Sequence, residues 1–148
     1  MKEKFDRNIR DKDADKIIIM PTWRPWEYNI VRNEYEESGY YKMVETIFSG
    51  IPEDKKDKVV IMPHPLINDY FKKSVFSKYM MEDEIYDNIL KKADTLITDY
   101  SSVAYDAFYR GANVIFYWRD KDECMENYGG HLMLDENNVF GKVCYTKE

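Results

Sequence analysis

The sequence predicts a small α/β domain, a three-layer sandwich around a parallel sheet, and three observations carry that expectation. Short apolar runs alternate with stretches of helical periodicity along the chain. The runs are continuously apolar, Ile17-Ile18-Ile19-Met20 being the plainest, as strands covered on both faces must be. Polar or proline-rich segments follow three of these runs at once: Pro21-Thr22-Trp23-Arg24, Pro63-His64-Pro65 and Asp99-Tyr100-Ser101-Ser102. In such Rossmann-like sheets ligands sit beyond the carboxyl ends of the strands, so these segments fall where a site is expected.

Taken in order, residues 1–15 are mostly polar and read as a tail or the end of a linker, and residues 16–148 as one domain. The first strand is Lys16 to Met20, closed by Pro21. Thr22 to Asn33 has no clean period and reads as a long loop. Tyr40, Met43, Val44, Ile47 and Phe48 make one face of a helix that starts near Tyr40 or is broken at Gly39, and Gly50 with Pro52 stops it. A second strand runs from Lys58 to Met62, a short helical piece from Leu66 to Phe71, and a short strand is read at Val75-Phe76. Ile85, Ile89, Leu90 and Ala93 stripe a helix from Asp83 to Lys92. The third strand is Thr95 to Thr98. Ser102 is read as the N-cap of a helix from Val103 to Arg110, with Gly111 at its C′ position. Asn113 to Tyr117 is the fourth strand. The remainder reads as irregular, with one short helix at Lys121 to Asn127.

The 148 residues include 22 Lys+Arg and 28 Asp+Glu, a net charge of −6. A chain of this size buries about 70 % of its extended surface, enough for one core and too little for two. The negative balance argues against a general nucleic-acid surface, which needs clustered cations. No apolar run approaches the roughly 20 residues of a membrane span. The charged start, Met1-Lys2-Glu3-Lys4-Phe5-Asp6, lacks the apolar core of a secretory signal, and two cysteines are too few for a disulfide framework. A cytoplasmic protein with reduced thiols is the expectation.

Ser101 and Ser102 stand between a strand end and a helix start, where backbone amides and hydroxyls together suit a phosphate or pyrophosphate; the plainer alternative is a cap and a turn. Asp99 would repel phosphate directly, but suits orienting the turn amides or holding a hydroxyl. His64, between two prolines, suits a hydrogen-bond donor or a general acid/base, or simply a loop histidine bonded to backbone. Arg24 would pair with phosphate in forked geometry, stack on a base, or face solvent. A metal site is not expected, because His64 and His131 lack partners at ligand spacing. No G-x-G-x-x-G, G-x-x-x-x-G-K-[ST] or G-x-S-x-G occurs, which argues against dinucleotide dehydrogenases, P-loop hydrolases and elbow-type hydrolases.

Together, Pro21-Thr22-Trp23-Arg24, Pro63-His64-Pro65 and Ile97-Thr98-Asp99-Tyr100-Ser101-Ser102-Val103 resemble the carboxy-terminal half of the CDP-glycerol glycerophosphotransferases. These are bacterial enzymes of teichoic-acid-like polymer synthesis. Ala93-Asp94-Thr95-Leu96, Val114-Ile115-Phe116-Tyr117 with Asp120, Leu134-Asp135 and Gly141 resemble further family landmarks. The resemblance implies the second half of a two-domain architecture like that of the GT-B glycosyltransferases. It implies that Ser101 and Ser102 hold the pyrophosphate of CDP-glycerol, with Asp99 and Arg24 nearby and His64 as the catalytic contact across the cleft. Glycerol phosphate would pass to a hydroxyl of a polyol-phosphate polymer or lipid-linked acceptor, with CMP leaving and no metal or other cofactor required. The family's Trp-His-Gly histidine, which looks like the acceptor-activating base, has no counterpart here. The chain is therefore expected to be a fragment that needs a missing amino-terminal domain, from an enzyme peripheral on the cytoplasmic membrane face.

Other readings keep the fold and change the task. CDP-ribitol or a nucleotide-sugar donor suits the same short motifs. A non-catalytic interaction module would use the 16 % aromatic content, including 13 Tyr, as a partner surface. A receiver-like phosphoacceptor domain needs acids at the first strand end, where Met20-Pro21-Thr22 supplies none.

Overall fold

A computed structural model describes residues 11–81, 85–129 and 139–146. Its centre is a five-stranded, all-parallel sheet in the order β2-β1-β3-β4-β5, formed by β1 (Lys16–Ile19), β2 (Val59–Ile61), β3 (Ala93–Thr98), β4 (Asn113–Tyr117) and β5 (Lys142–Cys144). In register, Ile18 lies beside Val60 and Leu96, and Leu96 beside Val114. The helices are α1 (Tyr28–Glu34), α2 (Gly39–Gly50), α3 (Asn68–Lys72), α4 (Tyr86–Lys91), α5 (Val103–Tyr109) and α6 (Lys121–Asn127).

The strands lack polar alternation because each sheet face has its own core. Ile18, Val60, Leu96, Val114 and Phe116 point to one side, against Ile89 and Leu90 of α4 and Val103, Ala104 and Ala107 of α5. Ile19, Val59, Ile61, Ile97 and Tyr117 point to the other, against Tyr40, Tyr41, Met43, Val44 and Ile47 of α2. This is the three-layer arrangement expected from the sequence. Much of the aromatic content lies in the second core: Tyr41 meets Phe71 and Phe76 at 5.5 Å between ring centroids, and Phe48 meets Tyr79 at 4.7 Å.

α2 begins at Gly39 rather than breaking there. The Ser38 hydroxyl caps it by accepting the Tyr41 N–H at 3.1 Å, and a Cβ at position 39 would run into the Glu27 carboxylate. Gly111, at φ 92°, closes α5 as expected.

Four local expectations are corrected. The stretch read as a loop after β1 contains a 3-10 turn, Pro25–Glu27, and α1; only Val31 of α1 is buried, so the helix leaves no apolar period. Val75-Phe76 is not a strand but a turn, with Phe76 buried and Val75 74 % exposed. The Ser102 hydroxyl does not cap α5: Ser102 is already in helical backbone geometry, and the Ser101 Oγ accepts the Val103 N–H at 3.3 Å. The carboxy-terminal stretch read as irregular contributes β5. Residues 1–10, 82–84, His131, Leu134 and Asp135 lie outside the described residues; Asp11 donates its N–H to the Lys91 carbonyl at 2.8 Å.

Candidate functional site

Because β2 and β3 lie on opposite sides of β1, the sheet's connections reverse at the carboxyl ends of β1 and β3, where open parallel sheets place their ligands. The three singled-out segments meet there. Backbone bonds carry the sheet past its strands: Met20 N–H to the Ile97 carbonyl at 3.0 Å, and Met62 N–H to the Ile19 carbonyl at 2.9 Å. The Thr98 hydroxyl then donates to the Met20 carbonyl at 2.6 Å.

Beyond these bonds sits a buried ionic cluster. Arg24 is 1 % exposed, and its guanidinium gives all five of its donors to acceptors. Nη1 donates to Asp99 Oδ2 at 2.8 Å and to the Thr22 carbonyl at 2.7 Å. Nε and Nη2 form a fork onto Asp120 at 2.8 and 3.1 Å, and Nη2 also reaches the Met43 sulfur at 3.5 Å. Asp99, equally buried, uses Oδ1 to accept the N–H groups of Thr22 at 2.8 Å and Tyr100 at 2.6 Å. One carboxylate therefore sets both the loop after β1 and the turn after β3. Asp120 also accepts the Tyr100 hydroxyl at 3.1 Å and the Cys124 thiol at 3.4 Å.

The charges follow from this geometry. Burial alone would favour loss of the Arg24 proton, but Asp99 and Asp120 outweigh it and hold the guanidinium's pKa above its ordinary value. Burial pushes Asp120 up, and the Arg24 hydrogen bond and charge overcome that and hold its carboxyl below the usual value. Burial pushes the Cys124 thiol up to about 12, so it is not a thiolate nucleophile near neutral pH. Glu27 is raised by burial, against the opposing Tyr40 N–H that it accepts at 2.8 Å.

His64 stands at the edge of this cluster. Its ring stacks on Trp23, with centroids 6.1 Å apart at 24°, and its backbone N–H donates to the Tyr40 hydroxyl at 3.3 Å. Tyr40 in turn donates to the Pro21 carbonyl at 3.2 Å. His64 Nδ1 accepts the Leu66 N–H at 3.3 Å, so the proton of the neutral ring belongs on Nε2, a donor. Ser101 is partly exposed and Ser102 exposed, both at the start of α5.

The structure thus brings Arg24, Asp99, Ser101, Ser102 and His64 to one end of the sheet, in two different situations. Arg24 and Asp99 are buried and occupied with each other, while His64 and the serines reach the surface. Trp23, Tyr40, Tyr100 and Asp120 are site residues that the sequence reading did not assign. Asp120 lies just past β4, so the strand-end rule that marked the other segments also covers it. A cleft of about 680 Å³ opens beside Asp120, between the start of α2 and the loop after β4; His64, Ser101 and Ser102 do not line it. Among the described residues no group of three His, Cys, Asp or Glu is arranged to hold a metal, and no helix is long and apolar enough to cross a membrane.

The model of the family described as CDP-glycerol:poly(glycerophosphate) glycerophosphotransferase matches residues 2–148. The minor teichoic acid biosynthesis protein GgaB of Bacillus subtilis (strain 168) is 27 % identical over 167 residues, covering 93 % of this chain and 18 % of GgaB. The wall teichoic acid polymerase TagF is similar in fold, with a TM-score of 0.61 at 19 % identity, covering 99 % of this chain and 36 % of that one. A TagF variant soaked with CDPG gives a TM-score of 0.61 at 20 % identity, with the same coverage. The chain therefore spans about a fifth of GgaB and about a third of TagF.

The Asp120 carboxylate makes a pH prediction. Its folded pKa is depressed, so its contribution is complete above the ordinary carboxylate value of ~3.9 and is lost as pH falls through the folded pKa. Asp120→Asn should cost about 1.5 to 3 kcal/mol in urea unfolding at pH 7, the range for hydrogen bonds to charged groups. The gap to the parent chain should narrow as pH falls below about 4. A gap that stays constant with pH would remove Asp120 from the ionic cluster.

Proposed function

The chain belongs to the CDP-glycerol:poly(glycerophosphate) glycerophosphotransferase family, and from that premise we propose that it forms the donor-nucleotide-binding part of a larger transferase. The whole enzyme transfers glycerol phosphate from CDP-glycerol to a hydroxyl of a growing teichoic-acid-type polymer. It works on the cytoplasmic face of the membrane. The observation that carries the reading is the meeting of the three motifs at the reversal point of a sheet whose chain matches the family model throughout.

In this reading the pyrophosphate lies across the ends of β1 and β3, with Ser101 and Ser102 donating to its oxygens. Arg24 and Asp99 act one step back: their donors and acceptors are committed to each other and to loop backbone, so they hold the loops rather than the phosphate. The acceptor oxygen attacks the phosphorus that carries glycerol. The bond from that phosphorus to the bridging oxygen breaks, and CMP leaves with the negative charge that develops there. His64 Nε2–H is the donor suited to that charge, held in place by Trp23, Tyr40 and the Leu66 amide. In this reading the proton released by the acceptor hydroxyl goes to a base in another part of the larger transferase.

Calorimetric titration with CDP, CMP, UDP and GDP tests the donor site. CDP should bind saturably, and Ser101→Ala with Ser102→Ala should weaken it by about 1 to 3 kcal/mol. Unchanged affinity in the folded double variant would refute the pyrophosphate assignment. In the full-length enzyme, His64→Ala should abolish transfer while reducing CDP binding only modestly; retained transfer would remove His64 from the chemistry.

A further inference from the structure

The helix α5 is apolar on both sides. Val103, Ala104 and Ala107 pack into the core under the sheet, while Tyr105, Phe108 and Tyr109, at i, i+3 and i+4 on the outer side, are 42, 52 and 54 % exposed. Single exposed rings are ordinary, but a helix that is apolar all round belongs inside a structure. The patch extends beyond this helix. Phe140 lies against Tyr105 and Phe108, with ring centroids 4.9 and 4.8 Å apart. Arg110 ties α5 to α4 by donating to Asp106 at 2.9 Å and to Asp87, which follows the exposed Ile85 and Tyr86.

We propose that two copies of this chain pair about a two-fold axis through the outer faces of α4 and α5. This pairing adds to the glycerophosphotransferase reading and does not depend on it. Charge selects the occupant. Asp87 is paired with both Arg110 and Lys91, and Asp106 with Arg110, so the charges beside the rings are spent on one another. A basic peptide would find these carboxylates taken. An anionic membrane would meet a chain of net charge −6 whose Arg110 and Lys91 are committed in the same way. A neutralised aromatic surface suits another of its kind, and a two-fold interface needs a patch that complements itself. The area is sufficient as well. Ile85, Tyr86, Tyr105, Phe108 and Tyr109 are each exposed by about half. At ~150 to 250 Å² per large side chain they offer roughly 500 Å² per copy, and a pair buries about 1,000 Å², the lower bound of a specific interface.

Sedimentation equilibrium of the chain over a wide concentration range tests the pairing. Reversible monomer–dimer exchange is expected, tightening as salt rises, because screening relieves the repulsion between two acidic copies. Phe108→Asp and Tyr109→Asp should each raise the dimer dissociation constant by about tenfold or more, with thermal unfolding of the monomer unchanged. Val75→Asp, at an exposed position beside the other core, should leave it as it is. A chain that stays monomeric at every concentration would overturn the proposal, as would a dimer that Phe108→Asp and Tyr109→Asp leave intact. A monomer that floats with phosphatidylglycerol vesicles, and loses that binding with both substitutions, would overturn it in favour of a lipid surface.

Discussion

A guanidinium buried to 1 % exposure must find an acceptor for every N–H, and that requirement organises one end of this molecule. Arg24 meets it with carboxylates from two other segments: Asp99, 75 residues away after β3, and Asp120, 96 residues away after β4. The loop after β1 is thereby tied to the ends of two further strands. Buried ion pairs of this kind offset much of their attraction with desolvation, so their value lies in placement as much as in stability. Removing Arg24 would leave two carboxylates close together without their shared cation, a loss larger than that of any single hydrogen bond.

Placement is what a phosphoryl-transfer site needs, since its catalysis comes mainly from orientation and fixed charge. Arg24 and Asp99 spend their hydrogen bonds on the backbone of Thr22 and Tyr100. The side chains left nearer the surface are the serines beyond Tyr100 and the imidazole of His64, which stacks on Trp23. Asp120 also borders the adjoining cleft.

Much of the sheet was legible because parallel strands covered on both faces must be apolar throughout, as Ile17-Ile18-Ile19 and Val59-Val60-Ile61 are. The α2 face was legible for the matching reason, its buried side recurring at helical spacing. The strand-end motifs were visible because proline, histidine and paired serines are unusual neighbours of such runs. What stayed hidden depends on contacts distant in sequence or on very short elements. α1 buries only Val31, and β5 has three residues beside Gly141, too few for a period. Arg24 read as free to meet phosphate, because its saturation by Asp99 and Asp120 exists only once the sheet brings those loops together. Ser101 rather than Ser102 accepts the Val103 N–H because Ser102 is already in helical backbone geometry, which a single sequence does not reveal.

We propose that the buried ion cluster builds the donor site without touching the donor. CDP titration of the folded Arg24→Met variant tests it most directly, with amide spectra to confirm an intact sheet. CDP affinity should fall at least tenfold, and the amide signals of Thr22, Tyr100 and Ser101 should move while those of β2 do not. Parent-like CDP affinity in a folded Arg24→Met chain would contradict it.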